Sequence, residues 1–161
     1  MPSNITSAGT KAPSRQDVPT PRDLLDAIEK RFGVIGWDLA ATRENAVCTD
    51  YFGPDNRFPN YRDSLNPDLP WDFLCHGRKF LNPPFATIRP WVDKASQTVI
   101  VSKPCGPLVL LPAAVCTDWF NTYVRNFAKV YELFPRPFKE IRDCILADYA
   151  DKPGRELWVW K

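Results

Sequence analysis

The sequence of 161 residues lacks long hydrophobic runs, paired cysteines and an excess of either charge. No apolar run approaches the roughly 18 residues that span a bilayer, and no charged start with an apolar centre marks the N-terminus. These absences predict a protein without membrane association that stays in the cytoplasm. The one histidine and the five widely spaced cysteines suit zinc poorly, so we predict reduced, mostly buried thiols and no metal site.

The balance of charge excludes a partner that is selected by charge alone. Lys and Arg together number 21 against 19 for Asp and Glu, and the formal net charge is +2. Binding to nucleic acid would therefore depend on local clusters of basic residues rather than on the charge of the whole chain.

Hydrophobic residues, in contrast, make up 44% of the chain, which is enough for the core of one domain. Residues 1–18 are small and polar and carry no periodic apolar face. We therefore predict a disordered N-terminal tail over residues 1–18, followed by a single domain over residues 19–161.

Short apolar runs alternate with amphipathic stretches along this domain. Thr20 and Pro21 predict the start of a helix, with the Thr20 hydroxyl as its cap, and the apolar run after the helix predicts a buried strand that ends at Asp38. A second strand is predicted to end at Asn82. Later segments of the same kind predict helices from about residue 87 and over 117–127, and strands over 106–114 and 129–134.

Three further stretches complete the pattern. Residues 42–48 predict a short helix capped by Thr42, and residues 50–72, rich in Pro, Asp and Asn, predict a long surface loop. Residues 144–150 and 155–161 flank the turn sequence DKPG and predict a closing antiparallel pair. The alternation as a whole predicts a three-layer α/β fold with a mostly parallel sheet and a C-terminal antiparallel strand pair.

The sequence Asn-Pro-Pro-Phe at residues 82–85 carries the chemistry. In an open α/β sheet, ligands bind outside the carboxyl ends of the strands, where we expect both Asp38 and Asn82. The Asn82 amide oxygen and the Pro83 carbonyl oxygen can accept both hydrogens of an NH2 group, and Phe85 offers a face on which a planar base can stack. An amine held in this way turns its lone pair outward, as methyl transfer to a weak nitrogen nucleophile requires.

The same residues also fit a purely structural interpretation. Asn-Pro-Pro-Phe can end a strand while the Phe85 ring packs on the core, and Asp38 can simply cap the segment that follows it. We interpret the aromatic residues at helical spacing as core rather than as ligand contacts: Trp91, Trp119 and Phe120.

A series of segments resembles a known family when the segments are taken in order. The segments are TPRDLLDAIEKRFG, WDLAATRENAVC, DSL, FLNPPFATIRPWVDKA and LVLLPAAVCTDWF. Their order and spacing are similar to those of the phage-type Dam family of DNA adenine methyltransferases. The resemblance covers about residues 19–124 and implies a minimal Rossmann-like fold that uses S-adenosylmethionine, located in the host cytoplasm if a phage encodes the chain.

The resemblance also implies roles for residues at matching positions. Thr20 and Pro21 would lie near the methionine end of S-adenosylmethionine, and Asp38 would face the same cofactor. Asp63 would lie near the target base or the cofactor. The base pocket with the catalytic contacts would be formed by Asn82, Pro83, Pro84 and Phe85. Phe85 stands where tyrosine is commoner in the family, and Ala40 and Ala41 replace the usual glycine-rich loop.

The partner implied by the resemblance is double-stranded DNA, from which the adenine is flipped before methylation. The chain is short for a separate target-recognition domain, so we expect either base reading by the loop over residues 50–72 or a low sequence specificity. Basic residues that bracket the predicted pocket are candidates for phosphate contacts: Arg57, Arg62, Arg78, Lys79, Arg89 and Lys94. Two alternatives remain, methylation of another amine in an RNA base or a protein glutamine, and a non-catalytic binding protein with the same fold.

Overall fold

The computed structural model describes residues 19–74, 76–138 and 143–161, so the predicted tail over residues 1–18 lies outside the described residues. Within those ranges the helices are α1 (Arg22–Phe32), α2 (Ile88–Val101) and α3 (Asp118–Tyr123). The strands are β1 (Ile35–Asp38), β2 (Arg78–Leu81), β3 (Leu108–Pro112), β4 (Lys129–Phe134), β5 (Cys144–Asp148) and β6 (Gly154–Val159).

The described strands form one six-stranded sheet in the order β1-β2-β3-β5-β4-β6. Strands β1, β2 and β3 are parallel, as are β4 and β6, and β5 runs antiparallel to both of its neighbours. The predicted mostly parallel sheet is therefore confirmed. The predicted closing pair is wrong in its partners, because β4 lies between β5 and β6; the antiparallel partners of β5 are β3 and β4.

Alternating side chains along the strands create two apolar faces. One face of the sheet packs against α1. Leu24 and Ile28 of the helix belong to the same buried apolar cluster as Phe80 and Leu110 of the sheet. The other face packs against α2 and α3. A sheet with apolar residues on both sides must be covered on both sides, so the three-layer arrangement follows from the sequence pattern and is confirmed.

The start of α1 differs from the prediction in one respect. Pro21 is the N-cap, with the extended backbone conformation that proline favours before a helix, and its carbonyl accepts from the Leu25 N–H at 3.1 Å. Thr20 lies one residue earlier and its hydroxyl does not cap the helix. Gly33 ends the helix with φ of 104°, a conformation that only glycine adopts without strain.

Two other predicted elements are shorter than expected. Residues 42–48 form a single turn rather than a helix, in which the Ala46 N–H donates to the Thr42 carbonyl at 2.9 Å. Helix α3 ends at Tyr123 instead of residue 127. The loop over residues 50–72 contains a short 3-10 turn at Pro59–Tyr61, and a second begins at Trp71. It is not wholly a surface loop, because Phe52 and Trp71 are fully buried.

Of the four described cysteines, Cys144 is buried, Cys116 is exposed and the other two are partly buried, so the prediction of mostly buried thiols is wrong for this part of the chain. None of the described helices is long and apolar enough to cross a membrane. The described residues also contain no group of three or more His, Cys, Asp or Glu arranged to hold a metal ion.

Candidate active site

Asp38 and Asn82 lie at the same edge of the sheet. Asp38 is the last residue of β1, and Asn82 follows β2, the strand beside it. Their strands stay joined beyond the last paired residues, because the Leu39 N–H donates to the Phe80 carbonyl at 2.9 Å. The prediction that Asp38 and Asn82 lie at the carboxyl ends of strands at one edge of the sheet is therefore confirmed.

Two neighbouring cavities open at this edge. The larger, which we call the main cavity, has a volume of about 340 Å³, and the smaller, which we call the side cavity, has about 30 Å³. Ala40, Asn45 and Asn82 line both. The side cavity also contacts Thr20 and Asp38, and the main cavity contacts Asp63 and Pro84. Residues far apart in sequence therefore surround one continuous site.

The orientation of Asn82 is fixed by Thr20. The Asn82 Nδ2 donates to the Thr20 Oγ1 at 3.0 Å, which ties the loop before α1 to the end of β2. Because the NH2 end of the amide is used in this bond, the Oδ1 end remains as an acceptor, and no described residue donates to it. The hydrogen bond to Thr20 thus holds in place the one amide that the sequence predicts as a contact for an amine.

Asp38 is a buried carboxylate held only by backbone amides. It is 3% exposed, and its two oxygens accept from the Ala40 N–H at 3.2 Å and the Val47 N–H at 3.1 Å. Burial raises the pKa of Asp38 to about 6, although both amide bonds oppose the shift. Each oxygen keeps an acceptor position, so a ligand that donates from a hydroxyl or ammonium group would be complementary to this side chain.

The chain matches a known protein family over most of its length. The family model of the DNA N-6-adenine-methyltransferase (Dam) matches residues 7–134, which is most of the chain. The chain belongs to the Dam family. The resemblance seen in the sequence segments is therefore confirmed, and it extends through β4.

One relative is the DNA N-6-adenine-methyltransferase of Escherichia phage T1, which is 27% identical over 111 residues. The aligned part is 69% of this chain and 42% of the relative, so the chain spans less than half the length of that protein. No solved structure gives a significant match.

The Asn-Pro-Pro-Phe motif of this Dam family member contributes unequally to the cavities. Asn82 and Pro84 line the main cavity, while Pro83 is buried beside them. The Pro83 carbonyl accepts no hydrogen bond from the described residues, although Pro83 itself lines neither cavity. Phe85 is partly buried and packs against the apolar clusters on both faces of the sheet. Its position therefore favours the core-packing interpretation of this ring over a free stacking surface.

Asp63 is an exposed residue of the long loop, and a lysine of α2 holds that loop in place. Lys94 Nζ donates to the carbonyls of Ser64, Asn66 and Leu69 at 2.7, 2.9 and 2.8 Å. These three bonds use all three donors of an ammonium group. Lys94 is therefore an anchor for the wall of the main cavity, which corrects its predicted role as a phosphate contact.

The other predicted phosphate contacts divide into two groups. Arg57, Arg62 and Arg89 are exposed; Arg62 lines the main cavity and its Nε donates to the Asn56 carbonyl at 2.7 Å. Arg89, at the start of α2, pairs with Asp118 at 2.5 Å.

Arg78 and Lys79 lie toward the opposite end of β2 and do not bracket the cavities. Arg78 forms a partly buried ion pair with Asp148 at 2.7 Å. Lys79 is 4% exposed, and its Nζ donates to the Cys105 carbonyl at 2.9 Å. Arg78 and Lys79 are close to Asn82 in sequence, but they begin β2 whereas Asn82 follows its end, and side chains alternate between the two faces of a strand. Their prediction as phosphate contacts beside the pocket is therefore wrong.

Several cavity residues escaped the sequence analysis. Asn45, Phe52 and Gly53 line the main cavity. Trp91, which the sequence analysis interpreted as core, packs against the core and also lines this cavity. The glycine at position 53 was a signal in the sequence, because glycine often marks a close approach of two backbone segments. In the structure a Cβ at this position would lie 1.6 Å from the Ala41 carbonyl oxygen. Pro21, in contrast, was predicted at the site but lines neither cavity; it is the N-cap of α1.

Proposed function

We propose that this protein transfers a methyl group from S-adenosylmethionine to the exocyclic amine of adenine in double-stranded DNA. The observation that carries the proposal is the free Oδ1 acceptor of Asn82, beside the buried carboxylate of Asp38, in a site shared by two cavities. Membership of the Dam family supports DNA as the substrate and adenine as the base.

The side of the site nearest Asp38 suits the cofactor. S-adenosylmethionine carries hydroxyl and ammonium donors and, when bound, supplies the methyl group. Asp38 offers two buried acceptor oxygens without a described cationic partner, and the neighbouring Ala40 and Ala41 leave room for close approach. We propose that Asp38, Asn45 and Thr20 bind the cofactor, with Asp63 at the far wall of the main cavity.

The acceptors at Asn82 and Pro83 suit the amine of the target base. An adenine amine that donates one hydrogen to Asn82 Oδ1 and the other to the Pro83 carbonyl presents its nitrogen lone pair away from both oxygens. The weak nucleophile is then activated by position, without a charged base in contact with it. Reaching this edge requires the adenine to leave the DNA stack, at a cost of a few kcal/mol.

The DNA surface is proposed from exposed basic side chains around the main cavity. Arg62 at the cavity wall, with Arg57 on the same loop and Arg89 at the start of α2, offers guanidinium groups for phosphate oxygens. The loop over residues 50–72 would supply contacts to base edges. The reaction would take place in the cytoplasm, that of the host if a phage encodes the chain.

The direct experiment incubates the purified protein with S-adenosylmethionine and unmethylated plasmid DNA, then digests the DNA to nucleosides for mass spectrometry. We expect N6-methyladenine to accumulate with time and to be absent when S-adenosylmethionine is omitted. Parallel reactions with RNA and with a glutamine-containing protein test the alternative amine substrates. Methylation of RNA or protein in the absence of DNA methylation would overturn the proposed substrate.

A calorimetric titration with S-adenosylmethionine separates catalysis from binding alone. Heat of binding together with methyl transfer supports the proposal. Heat of binding with no transfer to any of the three substrates would identify a non-catalytic binding protein. An absence of both signals would contradict the assignment of the cofactor to the Asp38 side of the site.

A further inference from the structure

A second large cavity lies on the other side of the loop segment that walls the main cavity. We call it the flanking cavity; its volume is about 320 Å³ and it includes four aromatic residues in its lining, Trp37, Tyr51, Phe58 and Tyr61. None of these residues lines the main or the side cavity. The flanking cavity is therefore a separate feature that the proposed transfer reaction does not use.

One aromatic ring separates the two cavities. Phe52 lines the main cavity and is 1% exposed, and its ring centroid lies 5.4 Å from that of Trp37 and 5.5 Å from that of Tyr61. The Gly53 N–H donates to the Tyr61 carbonyl at 2.9 Å, which fixes the two walls together. The main and flanking cavities therefore have walls that are in direct contact.

The chemistry of the flanking cavity suits a nucleotide. Aromatic rings bind the flat face of any base, and guanidinium groups bind phosphate. Arg43 and Arg57 are exposed residues of its lining. The Arg57 guanidinium lies over the Phe58 ring, 4.6 Å from its centroid, and Phe58 is 50% exposed, so a charged group and a half-exposed ring lie together at the surface.

The carboxylates in this region already have partners. Asp50 accepts from His76 Nε2 at 2.9 Å, and Asp55 accepts from the Arg43 N–H at 3.0 Å and from the Tyr51 hydroxyl at 3.1 Å. The bond from Arg43 to Asp55 comes from the backbone, and the Arg43 and Arg57 guanidinium groups form no ion pair with a carboxylate of the described residues. Charge at the rim favours an anionic ligand.

Trp37 gives a further indication. Its Nε1 is the single buried side-chain nitrogen or oxygen among the described residues that has no hydrogen-bond partner. An unpaired buried donor is costly, and such groups in native proteins call for an explanation beyond packing. Trp37 lines the flanking cavity, so its unpaired Nε1 favours a binding role for this region.

We propose that the flanking cavity binds a nucleotide next to the target adenine in the substrate strand, with its base against Phe58 and its phosphate at Arg57 and Arg43. The inference rests on the proposed action on DNA and adds a second contact that selects or holds the strand beside the methylated base. The occupant is a nucleotide because a flat apolar face and a cationic rim occur together.

The test compares Phe58→Ala with Phe73→Ala, since both side chains are exposed phenylalanines of the same region and Phe73 lines neither the main nor the flanking cavity. Fluorescence anisotropy with a labelled DNA duplex measures affinity, and thermal melting verifies that both variants fold. We expect Phe58→Ala to bind about tenfold more weakly, as the loss of one stacking contact predicts, and Phe73→Ala to stay within about twofold of the parent.

A second pair of variants tests the charged rim. Arg57→Gln should lower the slope of log affinity against log salt by about one, because one phosphate contact is lost. Lys30→Gln, which removes an exposed charge on α1 away from the cavities, should leave the slope unchanged. Equal affinity for Phe58→Ala and Phe73→Ala, together with an unchanged slope for Arg57→Gln, would overturn the inference.

Methyl transfer to the same duplex separates this result from the proposed function. If the parent methylates adenine while Phe58→Ala and Phe73→Ala bind alike and Arg57→Gln keeps the parental slope, the flanking cavity is not a nucleotide site and the proposed function stands. If binding depends on Phe58 and no methyl group is transferred, the nucleotide site stands and the proposed function fails. A parent protein that binds no duplex would overturn both.

Discussion

Strands β1 and β2 differ from β3 and β5 in what they contribute to the molecule. Strands β3 and β5 lie inside the sheet, and all five residues of each are buried. Strands β1 and β2 have four residues each and lead into Asp38 and Asn82 at the cavities. Strands β3 and β5 are buried along their whole length, whereas β1 and β2 end in polar groups at the carboxyl end of the sheet, where a ligand can bind.

Stability and function therefore depend on different parts of one sheet. Substitutions in β3 and β5 should reduce the free energy of unfolding while leaving the activity of the folded fraction intact. Substitutions beside β1 and β2 should have the opposite effect. Variants from both regions test whether stability and activity change separately.

The largest effect is expected in the central strands. Leu146 of β5 is fully buried, so Leu146→Ala should lower the free energy of unfolding by about 2–5 kcal/mol through loss of apolar contacts and a cavity. Leu157→Ala on β6, where the side chain is 61% exposed, should change it by less than about 0.5 kcal/mol. Denaturant titration measures both, and an equal cost for the two leucines would contradict the assigned core.

The next effect is expected at the end of β2. Asn82→Ala removes the oriented acceptor for the amine, so methyl transfer should fall about a hundredfold, which corresponds to about 2.7 kcal/mol in the barrier. The melting temperature should change little because Asn82 is only partly buried. Asn126→Ala, at an exposed position outside the cavities, is the matched control. Parental turnover in Asn82→Ala would remove the motif from the site.

A smaller effect is expected at the end of β1. Asp38→Ala should weaken binding of S-adenosylmethionine by about 1–3 kcal/mol at neutral pH, if the carboxylate accepts a hydrogen bond from the cofactor. Calorimetric titration measures this change. Unchanged affinity would leave Asp38 as a support for the turn that contains Val47.

The raised pKa of Asp38 adds a pH dependence with a defined sign. Because burial raises the pKa to about 6 from its ordinary 3.8, the free protein takes up a proton as pH falls through about 6, and cofactor affinity should fall with it. Stability of the free protein should change in the other direction, with the contribution of the protonated group lost as pH rises from about 4 to 6. Asp38→Asn should flatten both profiles between pH 4 and 7; profiles that keep the parental shape would exclude Asp38 as the titrating group.

The smallest effect is expected at the loop anchor. Lys94→Met releases three carbonyls in the wall of the main cavity, so methyl transfer should fall about tenfold, or about 1.4 kcal/mol, through poorer positioning. Lys103 offers a matched control, since its Nζ donates to the carbonyls of Phe127 and Tyr149 at 3.1 and 3.3 Å, outside the cavities. Lys103→Met should lose stability without a comparable loss of transfer by the folded protein, and equal losses of transfer would make Lys94 an ordinary structural lysine.

Much of the fold could be predicted because apolar periodicity records burial directly. The alternation of strands and helices predicted the three layers, and the residue types at strand ends predicted that Asp38 and Asn82 would share an edge. The partners of β5 and β6 could not be predicted in the same way. A turn sequence favours a local hairpin, but it does not show that β4 occupies the place between them.

The basic residues illustrate the limit most clearly. Three basic residues on either side of Asn-Pro-Pro-Phe have different roles: Arg62, Lys79 and Lys94. The local sequence gives no sign of which of them is exposed and which is buried or hydrogen-bonded. In the fold, Lys79 is buried, Lys94 is used by three carbonyls, and Arg62 lines the main cavity. Their different roles arise from long-range contacts that a local pattern does not contain.

The sequence by itself determined the fold class, the family and the strand-end positions of Asp38 and Asn82, because these depend on periodicity, turn chemistry and the order of short segments. Only the tertiary structure decided which way Asn82 faces, that Phe85 packs on the core, and that Phe52 separates two cavities. Each of these depends on contacts between residues distant in the chain, and such contacts form only when the layers pack together.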